Sequence, residues 1–256
     1  MNTAIIGASG YSGGELLRLL EGHPFFNPIV FAAHSQAGEK ITSLHPHLHQ
    51  YEHQFFSAAD PEVLSECDLI FLALPAGESA KFLPHFTDEQ LIVDLGADFR
   101  LKSGEFWDKY YGGPHAGTWT YGLPELHGRK EIIASSKRIA SPGCYATAIT
   151  LSCAPIVDLI EADDIVVVAA SGTTGAGRGL KHHLLGSEVM GSLSSYKFGG
   201  IHQHTPEIEE SLEQILGSEV KISFTPILAP MPRGILSTTT AKLKPGVTLE
   251  KNSKCF

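Results

Sequence analysis

Ala4-Ile5-Ile6-Gly7-Ala8-Ser9-Gly10-Tyr11-Ser12-Gly13-Gly14 stands almost at the start of the chain, and Glu15 to Glu21 follows with Leu16, Leu17, Leu19 and Leu20 before Gly22 and Pro24. An apolar run, a glycine-rich break and a leucine-rich run read as strand, turn and helix. Glycines at 7, 10 and 13 allow a tight turn, an approach of the backbone to a pyrophosphate without a Cβ in the way, and a helix start whose unpaired N–H groups face an anion. The spacing is G-x-x-G-x-x-G rather than G-x-G-x-x-G, so a tight turn with nothing bound stands open beside a dinucleotide site. The candidate cofactor contacts here are Gly7, Ser9, Gly10, Tyr11, Ser12 and Gly13.

Working outward, strands are expected at Ile29 to Ala33, at Leu69 to Leu74 closed by Pro75, and at Leu91 to Leu95 closed by Gly96, with a helix before each of the later ones. Short continuous apolar strands separated by helices indicate an α/β, doubly wound parallel sheet buried on both faces. A protein of this kind that prefers NAD carries an acidic residue near the end of its second strand, to hold the ribose 2′-hydroxyl. Here the region reads Phe31-Ala32-Ala33-His34-Ser35-Gln36, with no carboxylate. Ser35 can donate to a 2′-phosphate and Lys40 can supply a cation, which favours NADP; a plain surface loop is the other reading of both.

From Lys102 to Gly128 the sequence turns aromatic, glycine-rich and irregular, then resumes with Arg138-Ile139-Ala140 running into Ser141-Pro142-Gly143-Cys144. The domain change is placed there: a nucleotide domain over 1–142 and a catalytic domain over 143–256. The second part shows a helix from Tyr145, a strand Ile165 to Ala170, a loop Ser171 to Gly179, a helix Pro206 to Leu216, and strands near Val220 to Phe224 and Ile235 to Leu243. Strands without regular helical crossovers read as a mixed α+β domain.

At 256 residues, 43% hydrophobic and 18% charged, the chain has enough apolar surface to order a core of one large domain or two modest ones. Nineteen Lys and Arg against 28 Asp and Glu leave a net charge of −9, which repels phosphate backbones and anionic lipid, so neither nucleic acid nor a membrane surface is an expected partner. Apolar stretches such as Ile165 to Ala170 fall far short of the ~20 residues of a membrane span, and no signal peptide begins the chain, so the expected compartment is the cytoplasm. Cys67, Cys144, Cys153 and Cys255 lack paired metal spacing and are read as thiols, Cys67 and Cys153 in the core. His45, His47, His49 and His53 alternate in a way that invites a metal. Pro46 interrupts the run and no cysteine or carboxylate set completes a shell, so a solvated loop is the reading adopted and no metal is expected.

Cys144 falls where a strand gives way to a helix start, a position whose dipole favours thiolate. Together with Gly7 to Gly14, Asp94-Leu95-Gly96-Ala97-Asp98-Phe99-Arg100-Leu101, Tyr121-Gly122-Leu123-Pro124-Glu125, Ser171 to Arg178 and Ile201 to Glu209, the segment Ser141-Pro142-Gly143-Cys144-Tyr145 resembles the N-acetyl-gamma-glutamyl-phosphate reductase family of arginine biosynthesis, in order along essentially the whole chain. That resemblance implies a Rossmann-like domain followed by a catalytic domain, use of NADPH, and reduction of a small-molecule acyl phosphate to an aldehyde through a cysteine thioester. The bare chemistry agrees, because hydride is not usefully delivered to a carboxylate whereas a thioester accepts it. A homo-oligomer is expected.

On the same basis Cys144 is the nucleophile and His202, in the family-like His202-Gln203-His204-Thr205-Pro206-Glu207, is the acid/base. His202 would assist thiolate formation and protonate the departing group, with Glu207 and Tyr196 ordering the imidazole and the site; His204 is the structural neighbour. The loop Ser171-Gly172-Thr173-Thr174-Gly175-Ala176-Gly177-Arg178 offers hydroxyls, exposed N–H groups and a guanidinium suited to phosphate or carboxylate, unless it is merely a flexible loop. Arg178 is assigned to substrate, Gly175 and Gly177 to close cofactor approach, and Arg100 to substrate as a weaker candidate. The family also implies a further C-terminal segment, which nothing after Lys251 resembles. Reduction of a carrier-bound aminoadipyl phosphate in lysine synthesis is a close alternative. Aspartate-semialdehyde dehydrogenase is more distant, since an Asn is expected where Gly143 stands. A non-catalytic NADP-sensing module would need neither Cys144 nor His202.

Overall fold

The strands that begin at Asn2, Asn27, Leu69, Leu91 and Arg138 all run the same way, as their lack of alternation requires. In the computed structural model, which describes residues 1–248, they are β1 (Asn2–Ile6), β2 (Asn27–Ala32), β3 (Leu69–Leu72), β4 (Leu91–Asp94) and β6 (Arg138–Ala140), with the short β5 (Thr120–Tyr121) between the last two in sequence. The sheet order is β2-β1-β3-β4-β6-β5, and every pair is parallel. Cys255 and the expected chain end at Asn252 to Phe256 lie outside the described residues.

Because side chains alternate along a strand, the sheet needs two separate cores. On one face Ile5 and Phe31 pack with Leu17 and Leu20 of helix α1 (Tyr11–Leu20) and with Ile41, Leu48, Tyr51 and Phe56. On the other, Ala4, Ile6, Val30, Ala32, Ile70, Leu72 and Ile92 pack with Leu64 and Cys67. The helical crossovers are short: α2 (Ile41–Leu44), α3 (Pro61–Ser65) and a 3₁₀ segment, Ser79–His85. Burial pushes the Cys67 thiol up to about 11, so it stays a neutral core residue.

The described chain forms two compact units, the first comprising Met1–Arg100, His115–Gly122 and Glu131–Ser141, the second Leu101–Pro114, Leu123–Lys130 and the chain from Pro142 on. The stretch Lys102 to Gly128, read as irregular, contains helix α4 (Gly104–Tyr110) as well as β5. Ser103 Oγ accepts the Phe106 N–H at 3.2 Å, and Trp107 stacks on Tyr111 with centroids 4.6 Å apart, a contact four residues on that stabilises a helix despite the aromatic composition. Helix α5 (Arg129–Ala134) precedes β6.

In the second unit, β7 (Ile165–Ser171), β8 (Ser194–Ser195), β9 (Ile222–Leu228) and β10 (Ile235–Thr240) form a sheet of order β10-β7-β9-β8, with β7–β9 parallel and the other pairs antiparallel. Alternate residues of β7 and β9, Ile165, Val167, Ala169, Ile222 and Phe224, meet Tyr145, Ala146, Ile149 and Cys153 of α6 (Cys144–Cys153) and Ile208 and Leu212 of α8 (Thr205–Leu216). The opposite face of this sheet leaves Val166, Val168 and Leu236 exposed. A single turn, α7 (Gly186–Val189), lies in the connection before β8.

At the end of β4, Asp94 is fully buried, and its Oδ1 accepts from Ser79 Oγ at 2.7 Å and from Gly96 N at 2.9 Å. Asp98 accepts from Gly77 N and Ala80 N at 2.7 and 2.9 Å, so the loops after β3 and β4 are pinned together. Burial pushes Asp94 up to about 6, opposed by those hydrogen bonds, raised further by Asp98 and lowered by Arg100. A carboxyl raised in the native state keeps a proton that the unfolded chain releases, so stability falls as pH rises from about 4 to 6. Asp94→Asn keeps an oxygen for Ser79 and Gly96 without the charge. It is expected to raise stability at pH 7 by on the order of 2 kcal/mol and to change it little at pH 4, read by denaturant unfolding; an equal loss at both values refutes this account.

Candidate active site

Two places in the chain collect the chemistry-bearing residues. In the first unit the chain leaves β1 through Gly7, whose φ is +92°, and a Cβ there would lie 2.8 Å from the Ala73 carbonyl carbon and closer still to its oxygen. Gly10 N donates to Gly7 O at 3.1 Å, and Gly10, extended at φ −74° and ψ 174°, is the N-cap of α1 with no side chain capping it. A Cβ on Gly13 would run into Gly7 O and lie 2.6 Å from Ala8 Cα. The result is a cradle of backbone against a helix start, the arrangement that suits a diphosphate. Tyr11 and Ser12 are exposed at its rim, and Ser9 is half-buried. Ser35 and Lys40 are both exposed in the segment after β2.

His45, assigned to a solvated loop, is instead buried, with Nε2 2.9 Å from the Ala8 carbonyl. Its neighbours in sequence are solvated, but its own ring fills space beneath the glycine turn. Among the described residues no group of three or more His, Cys, Asp or Glu is disposed to hold a metal ion.

Arg100 spends two of its donors on backbone, Nε on the Ser141 carbonyl at 2.7 Å and Nη2 on the Leu95 carbonyl at 2.9 Å. It braces the loop after β4 against the end of the segment that leads to Cys144.

In the second unit Cys144 is exposed and is the first residue of α6. The N-cap is Gly143, extended at φ −66° and ψ 155° and without a side chain to occupy the helix start. Gly143 N donates to Glu207 Oε1 at 2.7 Å, and Thr147 N and Oγ1 return to the Gly143 carbonyl at 2.8 and 2.9 Å. Glu207 is buried in the first turn of α8, where a carboxylate complements the helix dipole. One carboxylate thus serves one helix by charge and the next by hydrogen bond.

His202 is only 2% exposed. Its ring meets Tyr145, Tyr196, His204 and Phe224 at centroid distances of 5.3, 5.8, 4.9 and 5.1 Å, all edge-to-face. Burial pushes it down to about 3, with His204 and Lys197 adding to the effect and Glu207 opposing it. His204 N donates to His202 Nδ1 at 3.1 Å. An Nδ1 that accepts leaves the proton of the neutral ring on Nε2, so this imidazole is a donor at Nε2. Tyr196 OH donates to Tyr145 OH at 3.0 Å, and Tyr145 OH reaches the Ile227 carbonyl at 3.3 Å. Burial raises both phenols, so they remain protonated donors.

Tyr145 and Phe224, which wall the histidine, had no role in the sequence reading. Tyr145 stands inside the motif that picked out Cys144, whereas Phe224 looks like any other apolar strand residue. The loop after β7 also differs from expectation. The N–H groups of Gly172, Thr173 and Thr174 donate to Gly234 O, Met231 O and Pro232 O at 3.0 to 3.1 Å, so the first half of the loop is tied down and does not offer them to a ligand. Gly175, Gly177, with φ +84°, and Arg178 are exposed.

The lowered His202 fixes a sign. The unfolded chain takes up a proton below about 6.5 that the native ring refuses until about 3, so this residue costs stability as the pH falls through that window. In ¹⁵N-resolved NMR, His202 is expected to show protonated Nε2 and bare Nδ1 from pH 5 to 8; a protonated Nδ1 at pH 7 contradicts the geometry.

Residues 2–135 match the family described as semialdehyde dehydrogenase, NAD binding domain, and residues 144–256 match semialdehyde dehydrogenase, dimerisation domain. An N-acetyl-gamma-glutamyl-phosphate reductase of Acidothermus cellulolyticus is 58% identical over 246 residues, which cover 95% of this chain and 72% of the relative. Proteins of the same name from Streptomyces coelicolor and Micrococcus luteus are each 53% identical, covering 98% and 95% of this chain and 73% and 72% of their own lengths. Among solved structures, aspartate semialdehyde dehydrogenase from Francisella tularensis superposes with a TM-score of 0.69 at 16% identity, covering 100% of this chain and 79% of the other. The Candida albicans enzyme of that name, solved with NADP, gives 0.71 at 16% identity, covering 99% and 75%. Identities that low speak for a shared fold.

Proposed function

The chain belongs to the N-acetyl-gamma-glutamyl-phosphate reductase family, and from that premise we propose that it reduces N-acetyl-gamma-glutamyl phosphate to N-acetylglutamate semialdehyde and phosphate with NADPH, in arginine biosynthesis. The observation that carries this reading is an exposed cysteine on the first turn of α6, with its glycine N-cap held by Glu207. The similarity does not favour the carrier-bound aminoadipyl substrate or a sensing role, since these relatives bear the reductase name.

The turn at Gly7 to Gly13 fits a dinucleotide, because the space a Cβ would fill at Gly7 and Gly13 is closed by backbone and the start of α1 carries no cap of its own. Ser9, Gly10, Tyr11 and Ser12 would line the diphosphate, Ser35 the 2′-phosphate, and Gly175 and Gly177 the nicotinamide side. Bound NADPH supplies hydride.

Cys144, as thiolate, attacks the acyl carbonyl, and the C–O bond to phosphate breaks to leave a thioester. The helix start lowers the cost of that anion, and Glu207 keeps the start in place through Gly143. His202 donates a hydrogen bond from Nε2–H to the oxygen on which negative charge develops, and keeps the proton, since a neutral ring that lost it would be left an imidazolate. Drawing the thiol proton onto that ring would mean giving up the Nδ1 bond, so we assign His202 the role of a neutral hydrogen-bond donor to the reacting oxygen. Tyr196 and Tyr145 hold the ring by packing. Arg178 and Arg100 are assigned to the substrate side, Arg100 through its hold on Ser141.

We assign nucleotide binding to 1–142 and catalysis to 143–256, although Leu101–Pro114 and Leu123–Lys130 pack with the second unit rather than the first. Val166, Val168 and Leu236, exposed on a sheet of the part that matches a dimerisation domain, support a homodimer. The substrate is a small molecule, and we place the protein in the cytoplasm. No helix among the described residues is long and apolar enough to cross a membrane.

The assay is phosphate-dependent reduction of NADP by the purified chain. Turnover with N-acetylglutamate semialdehyde and background rates with aspartate semialdehyde are expected; the reverse preference overturns the substrate. Cys144→Ser is expected to abolish turnover with NADPH affinity unchanged, since a hydroxyl is a far poorer nucleophile. Gly10→Asp leaves the fold intact, because the only nearby atom to its Cβ is 3.4 Å away and aspartate is a good N-cap, but it sets a charge against the diphosphate. NADPH affinity is expected to fall more than tenfold. His202→Asn is expected to cost ~10²–10⁴-fold in turnover and His204→Asn much less; the opposite ranking reassigns the roles.

A further inference from the structure

Turn geometry and phosphate approach account for Gly7, Gly10 and Gly13, but Gly14 lies inside α1, where only proline is less favoured than glycine. A Cβ at Gly14 would lie 2.6 Å from His45 Nδ1 and nearer still to Cε1. The helix has given up a side chain to admit an imidazole from 31 residues downstream.

That ring is held from several sides. It is 4% exposed, Phe56 packs edge-on at 6.2 Å, and the His45 backbone N–H is bonded to the Ile41 carbonyl at 2.9 Å. Its Nε2 stands 2.9 Å from Ala8 O, and since a carbonyl only accepts, this nitrogen carries the hydrogen. Ala8 N donates in turn to Ala32 O at 3.0 Å. The Ala8 carbonyl shares a trans peptide plane with the Ser9 N–H, and in such a plane the two point in opposite directions. Holding the carbonyl toward the imidazole therefore aims the Ser9 N–H to the other side of the turn.

We propose that His45 is a positioning residue for the dinucleotide phosphates: its Nε2–H fixes the Ala8–Ser9 peptide plane so that the Ser9 N–H faces the ligand, and position 14 is glycine because the ring occupies its Cβ space. This rests on the reading of Gly7 to Gly13 as the NADPH site.

The experiment titrates NADPH into the purified full chain by fluorescence, with kcat measured at saturating NADPH. His45→Phe keeps a ring but has no N–H; it is expected to weaken NADPH binding about tenfold, the scale of one hydrogen bond, with kcat changed less than twofold. His45→Gln restores a donor and is expected to bind within threefold of wild type. Gly14→Ala is expected to bind poorly, and adding His45→Ala, which empties the contested space, to recover part of the loss. Wild-type affinity in His45→Phe overturns the proposal. So does a double variant no better than Gly14→Ala alone, a comparison that stands even if His45→Phe does not fold. Gly10→Asp separates the two levels: if it too binds normally, the site reading itself fails, and if it alone loses NADPH, only the role of His45 fails.

Discussion

The hydrogen bond from Gly143 N to Glu207 Oε1, 2.7 Å long and buried, joins the start of the helix that bears Cys144 to the start of the helix that follows His202. The chemistry proposed for the second unit depends on these two starts being held together. A glycine N-cap contributes no side-chain oxygen to its own helix, so α6 gains nothing from a side-chain cap and takes an anchor from α8. The same economy appears at α1, which starts on Gly10 with no side-chain cap. Helices α3 and α4 are closed by the side chains of Asp60 and Ser103, whereas the single-turn α2 and α7 also start without a side-chain cap. A start without a side-chain cap suits the anion proposed at each place, a diphosphate at one helix and a thiolate at the other.

The histidine chosen from sequence sits where burial works against an ordinary base. Burial among four rings keeps it neutral, and the His204 N–H commits one of its nitrogens. A neutral donor of fixed tautomer in an apolar surround needs no reorganisation when charge appears on a neighbouring oxygen, which is where such groups are worth most. Two protonated phenols complete the wall.

The sheet was legible because its strands are short, apolar and bounded by glycine or proline, and the helix start at Cys144 was legible because Pro142 and Gly143 separate it from the strand before. Helix α4 was not, since its stabilising contacts are aromatic pairs hidden in a glycine-rich stretch. His45 defeats sequence reading for a different reason. Alternation with solvated neighbours describes its segment correctly, and only the fold brings it under a glycine 31 residues earlier. The tautomer of His202 belongs to the same class, because it depends on which way one backbone N–H points. The loop after β7 has hydroxyls and N–H groups that suit an anion, yet its first donors are consumed by the 231–234 segment, which sequence places far away.

Protonation acts with opposite signs on the two units. Between about pH 4 and 6 native Asp94 holds a proton that its unfolded counterpart has lost, so acid favours the folded first unit. Over the same range unfolded His202 holds a proton that its native counterpart refuses, so acid disfavours the folded second unit. If the chain unfolds as one cooperative body, the two proton balances cancel and these residues leave the transition independent of pH in that window. If the units unfold separately, their midpoints move in opposite directions as the pH falls. The pH dependence of unfolding therefore reports on cooperativity between the units, and it does so through residues whose burial, rather than whose exposure, sets the sign.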